Sequence, residues 1–277
     1  MRKLSLFILI CLLFVCISCS ESNQTISLIT YNIRLDIESD GINKWDNRKE
    51  GLISLIKEEN PDVLGIQEGL PNQIEYISKQ LEDYNMIGEG RDGGDKGEYS
   101  AIFYKSEKLR LEKAETFWLS ESPEVPSIGW DAALNRITTV GVFSEVSSNK
   151  KFIVYNSHFD HIGKIARENS VNVILNHIRE NNHIKNRIIV MGDFNASPND
   201  TPIRLLSSEF DDPYINFPIK NPFGTFNGFE LDSKVMERID YIFTSNLKVV
   251  DYRHIYKRLP NNLWPSDHIP IFISVNL

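Results

Sequence analysis

The stretch IIVMGDFN at residues 188–195 predicts the fold more directly than any other part of the chain. The apolar run 188–192 indicates a buried strand, and polar residues follow it at once. A charged group at the end of a buried strand is costly unless it is hydrogen-bonded, paired or bound to a metal ion. Asp193 and Asn195 are therefore candidate site residues at the edge of a β-sheet.

Similar polar residues lie at the ends of other predicted strands. Glu68 ends one apolar strand, Asp240 interrupts a second, His158 follows a third, and Asp267 precedes the last strand. A single carboxylate in such a position is usually a cap or turn residue. Several together are harder to attribute to turns. Because strand ends cluster at one edge of a sandwich, we expect these side chains to converge.

The pattern along residues 25–277 predicts one domain, without internal repeats or low-complexity linkers. Many predicted strands follow one another without a helix between them, which favours an α/β sandwich with mixed or antiparallel sheets over a doubly wound parallel sheet. Helices are predicted at 47–59, 71–81 and 164–180, strands at 26–33, 62–67, 100–105, 109–118, 137–146, 151–157, 187–192, 238–244, 248–256 and 270–275, and a glycine-rich loop at 88–97.

The N-terminus has the pattern of a signal peptide. Arg2 and Lys3 precede an apolar run that is too short to span a bilayer comfortably, and all three cysteines lie in this segment. The last of them, followed by polar residues, resembles a bacterial lipoprotein processing site. The resemblance implies that residues 1–18 are removed and that a lipid on Cys19, followed by the tether 19–24, anchors an exported domain in the cell envelope, facing the periplasm or the cell surface. Plain secretion is the alternative.

The charge of the chain argues against a long nucleic-acid interface. Removal of residues 1–18 takes away two positive charges, Arg2 and Lys3, so the formal net charge moves from −8 to −10. A domain with this net charge has no overall basic surface that would attract a polyanion such as nucleic acid. Local phosphate binding remains compatible with this charge, because a bound metal ion supplies positive charge.

The residue types at the predicted strand ends indicate a hard cation. Carboxylate and amide oxygens, in a body without cysteine, suit Mg²⁺ or Mn²⁺ rather than structural zinc. His158 and His268 each lie beside an acid at a strand end, where two imidazoles can serve as general base and general acid for attack by water on phosphorus. We interpret His177, His183 and His254 as structural residues.

Six segments together resemble the ordered motifs of the endonuclease/exonuclease/phosphatase superfamily, which has the deoxyribonuclease-I-like fold. They are TYNIR at 30–34, QE at 67–68, SHFD at 157–160, GDFN at 192–195, RIDYI at 238–242 and SDH at 266–268. The resemblance covers nearly the whole chain after residue 25. It implies a four-layer α/β sandwich of two mixed, mainly antiparallel β-sheets flanked by helices.

The resemblance also implies a metal site and a site for the attacking water. Glu68 would be the main metal ligand, with Asn32 and Asp267 completing or supporting the site. Asp193 and Asn195 would position the attacking water and a phosphate oxygen.

Proton transfer and phosphate binding are assigned by the same resemblance. His268, oriented by Asp240, would be the base or a phosphate-binding partner. His158 would be the acid or a transition-state stabiliser, with Glu98 as its carboxylate partner. Arg136 would contact the phosphate.

Further segments resemble a bacterial, often exported branch of this superfamily. They are GRD at 90–92, GEYS at 97–100, FY at 103–104, FWLS at 117–120 and GWDAAL at 129–134. From them we predict Glu98, Tyr104 and Trp130 as substrate contacts, whereas Trp118 is interpreted as a core residue. Asn135 stands where the branch commonly has Pro, and Asn227 stands where it commonly has His.

The predicted function is metal-dependent hydrolysis of a phosphomonoester or phosphodiester by a monomer that uses Mg²⁺ or Mn²⁺. A small phosphorylated substrate fits the acidic charge better than a nucleic acid. The alternatives are an exported nuclease that acts on DNA or RNA, and a catalytically inactive binding lipoprotein with the same fold.

Overall fold

The computed structural model describes residues 25–217 and 224–277. The predicted signal peptide, Cys19 and the tether lie outside the described residues. Within the described ranges, no helix is both long enough and apolar enough to cross a membrane.

Eleven strands and four α-helices are formed by the residues that the structure describes. The strands are β1 (Thr25–Asn32), β2 (Val63–Gln67), β3 (Tyr84–Ile87), β4 (Ile102–Lys105), β5 (Leu109–Trp118), β6 (Ile137–Glu145), β7 (Lys151–His158), β8 (Ile188–Asp193), β9 (Asp240–Ser245), β10 (Lys248–His254) and β11 (Ile271–Asn276). The helices are α1 (Trp45–Glu59), α2 (Pro71–Gln80), α3 (Lys164–Glu180) and α4 (Thr201–Glu209), with short 3₁₀ turns at Glu38–Asn43 and Pro213–Ile215.

The strands form two mixed sheets. The first has the order β10-β11-β1-β2-β4-β3 and the second the order β5-β6-β7-β8-β9. Only the pairs β1–β2 and β7–β8 are parallel among the ladders of these two sheets, and the other neighbours are antiparallel. The predicted fold class, an α/β sandwich of two mixed and mainly antiparallel sheets, is confirmed.

Three apolar layers hold the sandwich together, because each sheet buries both of its faces. The inner faces of the two sheets pack on each other through residues such as Leu28, Met191 and Ile273. The outer face of the first sheet packs on α1 and α2, for example through Leu52. The outer face of the second sheet packs on α3 and α4, for example through Ile174. The four layers are thus helices, sheet, sheet and helices.

Two regular elements differ from the prediction. Strand β3 was not expected, because it is a short edge strand whose residues are half-buried or exposed and show no alternation of apolar and polar side chains. Helix α4 was also not expected. It is only nine residues long and begins directly after a turn-forming segment at 197–200. The glycine-rich segment at 88–97 is irregular, as predicted.

A polar clamp, formed by hydrogen bonds of Asn156, joins the two sheets within their mainly apolar interface. The side-chain amide of Asn156, on β7, donates to the carbonyl oxygens of Ile66 and Ala101, each at 2.9 Å. Its Oδ1 accepts from Gln67 Nε2 at 2.7 Å, and Gln67 also donates to Thr30 Oγ1 at 3.1 Å. Since Gln67 directly precedes Glu68, this clamp fixes one site residue against the opposite sheet.

We expect Asn156→Leu to lower the free energy of unfolding by about 1–3 kcal/mol, since it leaves buried amide and carbonyl groups without partners. Urea unfolding followed by circular dichroism measures this change. The matched control, Asn172→Leu on the exposed face of α3, should change it by less than about 0.5 kcal/mol. Equal effects of the two substitutions would contradict a structural role for the clamp.

Candidate active site

The sheet topology explains why the predicted strand-end residues meet. Strands β1 and β2 run in parallel, so that Asn32 pairs with Gln67 and the next residue, Glu68, lies at the same edge. In the second sheet, the neighbouring parallel strands place His158 opposite Asp193, and the antiparallel β9 places Asp240 opposite Asp193 from the other side. One edge of the sandwich therefore gathers acids, an amide and an imidazole.

Backbone strain occurs where the site residues leave the strands. Arg34, Glu68 and Asn195 have positive φ angles of 58°, 64° and 46°, in a region that residues other than glycine seldom occupy. Such conformations persist when surrounding contacts enforce them, and they are common at functional sites. Here the backbone N–H of Asn195 donates to Asp193 Oδ1 at 2.9 Å, and that of Leu35 donates to Glu68 Oε2 at 3.0 Å.

Gly192 allows the close approach of β7 and β8 beneath the site. Its φ is +144°, and an added Cβ would lie 1.9 Å from the carbonyl oxygen of Ser157. A side chain at this position would push apart the two strands that carry His158 and Asp193.

The carboxylate of Asp193 lies at the centre of the site and is almost fully buried. Its Oδ2 accepts from Asn32 Nδ2 at 2.9 Å and lies 3.5 Å from His158 Nε2 and 3.7 Å from His268 Nε2. Burial, together with the nearby charge of Asp240, raises the pKa of Asp193 to about 7, although His268 opposes this shift. A carboxyl group with this pKa can bind and release a proton at neutral pH.

The two imidazoles that face Asp193 have opposite protonation tendencies. Burial and the positive charge of Arg136 lower the pKa of His158 well below its ordinary value. Burial would also lower the pKa of His268, but the carboxylates of Asp240 and Asp193 outweigh it and raise that pKa well above the ordinary value. At neutral pH, His158 is therefore neutral and His268 is protonated. Environments that separate two pKa values in this way are typical of acid–base catalysis.

Asp240 forms a hydrogen bond with the ring nitrogen of His268 that does not face Asp193. Its Oδ2 lies 2.8 Å from His268 Nδ1, and both residues are buried. Thr225 fixes the backbone on either side, since its Oγ1 accepts from the N–H of Asp240 at 3.0 Å and its carbonyl oxygen accepts from the N–H of Ile269 at 2.6 Å. These contacts fix the orientation of the imidazole ring of His268.

Two groups of carboxylates and imidazoles are close enough to share a cation among the described residues. One joins Glu68, His158 and Asp193, and the other joins Asp193, Asp240 and His268, with the possible ligand atoms in each group within 4.8 Å of one another. Both contain Asp193, so they are two halves of one site.

The predicted metal ligands Asn32 and Asp267 have other contacts in the structure. Asn32 Nδ2 donates to Glu68 Oε1 and Asp193 Oδ2, each at 2.9 Å, while its Oδ1 accepts from the N–H of Arg34 at 3.0 Å. Asp267 lies outside both groups, with its Oδ2 3.8 Å from Arg34 Nη1. These contacts give Asn32 a supporting role, in which it positions the two carboxylates that it joins.

The site opens into a cavity of about 690 Å³. Most of the predicted site residues reach its surface, whereas Asn32 and Asp240 lie beneath the floor. The lining residues are Arg34, Leu35, Glu68, Arg91, Glu98, Leu134, Arg136, His158, His161, Asp193, Asn195, Phe226, Glu237, Ile239, Asp267 and His268.

Several lining residues were not predicted from the sequence. Arg34 belongs to a segment that resembles a superfamily motif, and Arg91 belongs to one that resembles the bacterial branch, so both had a usable signal. Phe226 was not predicted to be a site residue, because its ring faces the site only through its position beside His268, with the two ring centres 5.1 Å apart.

Tyr104 and Trp130, both predicted as substrate contacts, lie elsewhere. Tyr104 is buried between the two sheets, with its ring 5.1 Å from that of Phe143, because β4 turns this side chain toward the inner face. Trp130 lines a separate groove between β5 and α3. Trp118 is buried, as expected, and its indole N–H donates to the carbonyl oxygen of Arg91 at 2.7 Å.

Glu98 does not pair with His158 as predicted. It forms an ion pair with Arg91 instead, with 2.8 Å between Glu98 Oε1 and Arg91 Nη2. Arg136 pairs with Asp160 at 3.3 Å and lies 2.9 Å from His161 Nδ1. The cavity wall next to His158 thus consists of two ion pairs.

The two positions at which the chain departs from the predicted branch have structural roles. Asn135 Nδ2 donates to Asp92 Oδ1 at 3.0 Å. Asn227 is buried, where its Nδ2 donates to the carbonyl oxygen of Ser266 at 3.0 Å and its backbone N–H donates to that of Asp267 at 2.8 Å. Asn227 therefore holds the loop that carries His268.

Two packed mixed sheets, with acids, amides and imidazoles gathered at one edge, define a hydrolytic site of the phosphoesterase type. Residues 29–268 match the model of the Endonuclease/Exonuclease/phosphatase family, and the chain belongs to this family. The superfamily suggested by the sequence motifs is thereby confirmed.

Known proteins are similar to this chain over most of its length. The chain is 30% identical over 234 residues to the uncharacterized protein L388 of Acanthamoeba polyphaga mimivirus, which covers 82% of this chain and 79% of the relative. The crystal structure of an endonuclease/exonuclease/phosphatase from Bacteroides vulgatus has a TM-score of 0.86 and 33% identity, covering 92% of this chain and 99% of that one. The mannosyl-6-phosphatase of Bacteroides thetaiotaomicron has a TM-score of 0.85 and 33% identity, covering 91% and 100%.

We expect Asp240→Asn to lower the pKa of His268, because it removes the nearest of the charges that favour the protonated ring. An NMR titration of the histidine ring signals in chelator-treated protein measures this change. His183, which is hydrogen-bonded to Tyr155 on the other face of the second sheet, serves as the internal control and should titrate as before. An unchanged His268 titration would show that Asp240 does not set its charge.

Proposed function

We propose that this protein hydrolyses a small phosphate monoester with the help of a divalent cation, Mg²⁺ or Mn²⁺. The observation that carries the proposal is the buried carboxylate of Asp193 between a neutral and a protonated imidazole, beside the carboxylate of Glu68. This arrangement offers a proton acceptor, a proton donor and cation ligands around one small volume.

The donor set suits a hard cation. Glu68 and Asp193 are carboxylates with oxygens that lie within 4.8 Å of each other and of a ring nitrogen of His158. Carboxylate oxygens are the ligands that Mg²⁺ and Mn²⁺ prefer, and the sequence after residue 19 has no cysteine to favour a softer ion. Glu68 would be the main ligand. A cation bound there would supply Lewis-acid stabilisation of the negative charge that develops on the phosphate.

Asp193 is the residue best placed to activate water. Its pKa of about 7 allows it to accept a proton as the water oxygen attacks phosphorus. Asn32 Nδ2 and the N–H of Asn195 fix the two carboxylate oxygens at 2.9 Å each, so the acceptor cannot turn away. Preorganisation of this kind lowers the cost of reaching the transition state.

The two imidazoles have complementary tasks. The protonated His268 can donate to a phosphate oxygen and give its proton to the leaving oxygen when the P–O bond breaks. The neutral His158 has its Nε2 3.2 Å from Asn195 Nδ2, where it can accept from this amide and orient it toward the cavity. The proton lost by water thus goes to Asp193, and the leaving group takes its proton from His268.

Charge and similarity both support a small monoester. The formal net charge of −8 gives no global attraction for a polyanion. A structural neighbour with 33% identity over 91% of this chain is named a mannosyl-6-phosphatase, which acts on a monoester. A nuclease with the same fold would cleave nucleic acid rather than a small monoester, and an inactive binding protein would hydrolyse neither.

Removal of divalent cations should abolish activity. We expect hydrolysis of p-nitrophenyl phosphate to stop in excess EDTA and to return on addition of Mg²⁺ or Mn²⁺, since the carboxylates of the site otherwise repel the phosphate dianion. Release of p-nitrophenolate measures the rate. Full activity in EDTA would refute the cation requirement. Metal-dependent nicking of plasmid DNA at moderate salt, without monoester hydrolysis, would instead indicate a nuclease.

Asp193→Ala should lower kcat by about 10²- to 10⁴-fold, the range for loss of a general base. Its melting temperature should fall by no more than a few degrees, because the fold disfavours the buried charge that is removed, as the raised pKa of Asp193 indicates. Asp251→Ala, on the half-exposed strand β10, is the matched control and should keep full activity. Retention of activity in the Asp193 variant would exclude it as the base.

A further inference from the structure

The ion pair between Arg91 and Glu98 leaves part of its hydrogen-bonding capacity unused. Arg91 Nη2 lies 2.8 Å from Glu98 Oε1, and both residues line the active-site cavity. Arg91 Nη1 is buried and has no hydrogen-bond partner among the residues that the structure describes. A buried donor without a partner is costly, and a water molecule or a hydroxyl group of a ligand in the cavity would supply the missing hydrogen bond.

The loop that carries Arg91 is held in place by several contacts. The backbone N–H of Arg91 donates to the carbonyl oxygen of Glu98 at 2.9 Å, and the indole of Trp118 donates to the carbonyl oxygen of Arg91 at 2.7 Å. Asn135 holds the next residue, Asp92, at 3.0 Å. The guanidinium group is therefore preorganised, although it lies on a glycine-rich loop.

The guanidinium groups of this cavity are each neutralised by a carboxylate. Arg91 pairs with Glu98, Arg136 with Asp160, and Arg34 with Asp40 at 2.8 Å. The floor adds the acidic residues Glu68, Asp193 and Asp267. A second phosphate group on the substrate would therefore meet no uncompensated positive charge here.

A neutral hydroxyl group fits such a wall better than an anion. Each hydroxyl can accept from a guanidinium N–H and donate to a carboxylate oxygen at the same time. Hydrogen bonds to charged groups are the stronger ones, so adjacent donors and acceptors of the Arg91–Glu98 type discriminate well between a hydroxyl group and a hydrocarbon.

We propose that the Arg91–Glu98 pair binds hydroxyl groups of the leaving group, so that the preferred substrate is the phosphate monoester of a neutral polyol such as a hexose. This inference rests on the proposed function and assigns Arg91 as a specificity-determining residue. It gives the glycine-rich loop at 88–97 a role in substrate choice.

The test compares two substrates in the full-length enzyme with Mg²⁺. We measure kcat/KM for a hexose 6-phosphate and for p-nitrophenyl phosphate, in the wild type and in Arg91→Met. The kcat/KM of the hexose 6-phosphate divided by that of p-nitrophenyl phosphate should fall by about 10- to 100-fold in the variant, because only the sugar ester loses hydrogen bonds. Arg91→Lys, which keeps the charge but not the planar fork, should recover part of the ratio.

Lys96→Met on the same loop is the matched control. Lys96 is exposed and lies outside the cavity lining, so its substitution should leave the ratio unchanged. Equal loss on both substrates in Arg91→Met, or an unchanged ratio, would overturn the inference. A hexose bisphosphate hydrolysed faster than the monophosphate at its shared ester would also overturn it. Absence of metal-dependent hydrolysis of every ester would instead overturn the proposed function, and the inference with it.

Discussion

The buried carboxylate of Asp193 is the group on which the rest of the site depends. It takes part in both of the possible cation-binding groups, its Oδ2 lies within 3.7 Å of Nε2 of both His158 and His268, and it shares the amide of Asn32 with Glu68. A lone carboxylate in such a position would be costly. The surrounding donors reduce this cost only in part, as its raised pKa indicates. In the mechanism that we propose, this residual instability makes Asp193 a proton acceptor suited to neutral pH.

The fold supplies this geometry through two parallel strand pairs within otherwise antiparallel sheets. Because β1–β2 and β7–β8 each end at the same edge, residues far apart in the sequence arrive side by side. Gly192 permits the close packing of one pair, and the Asn156 clamp ties that pair to the opposite sheet. Positive φ angles at Glu68 and Asn195 then turn the chain just beyond the ends of β2 and β8. Strain at the site is thus balanced by the regular packing behind it.

Much of the fold and of the cavity floor could be predicted from the sequence, whereas the cavity wall could not. Glu68, Asp193 and His268 were recognisable because polar residues beside buried strands are unusual. The partner of Glu98 was predicted wrongly, because it depends on how the glycine-rich loop closes, and that closure is set by the long-range contacts of Trp118 and Asn135 with this loop. Tyr104 was misplaced for a similar reason. Whether a strand residue faces the core or a cavity depends on the register with its neighbours, which a local pattern does not contain.

The most direct test of the account is a crystal structure with Mn²⁺ and inorganic phosphate, in which anomalous scattering locates the cation. We predict an anomalous peak at bonding distance from the carboxylate of Glu68, with the phosphate within hydrogen-bond reach of Asn195 and His268. A cation bound only elsewhere on the molecule, or no peak at Glu68 at saturating Mn²⁺, would contradict the assignment of this edge of the sandwich as a metal-dependent phosphoesterase site.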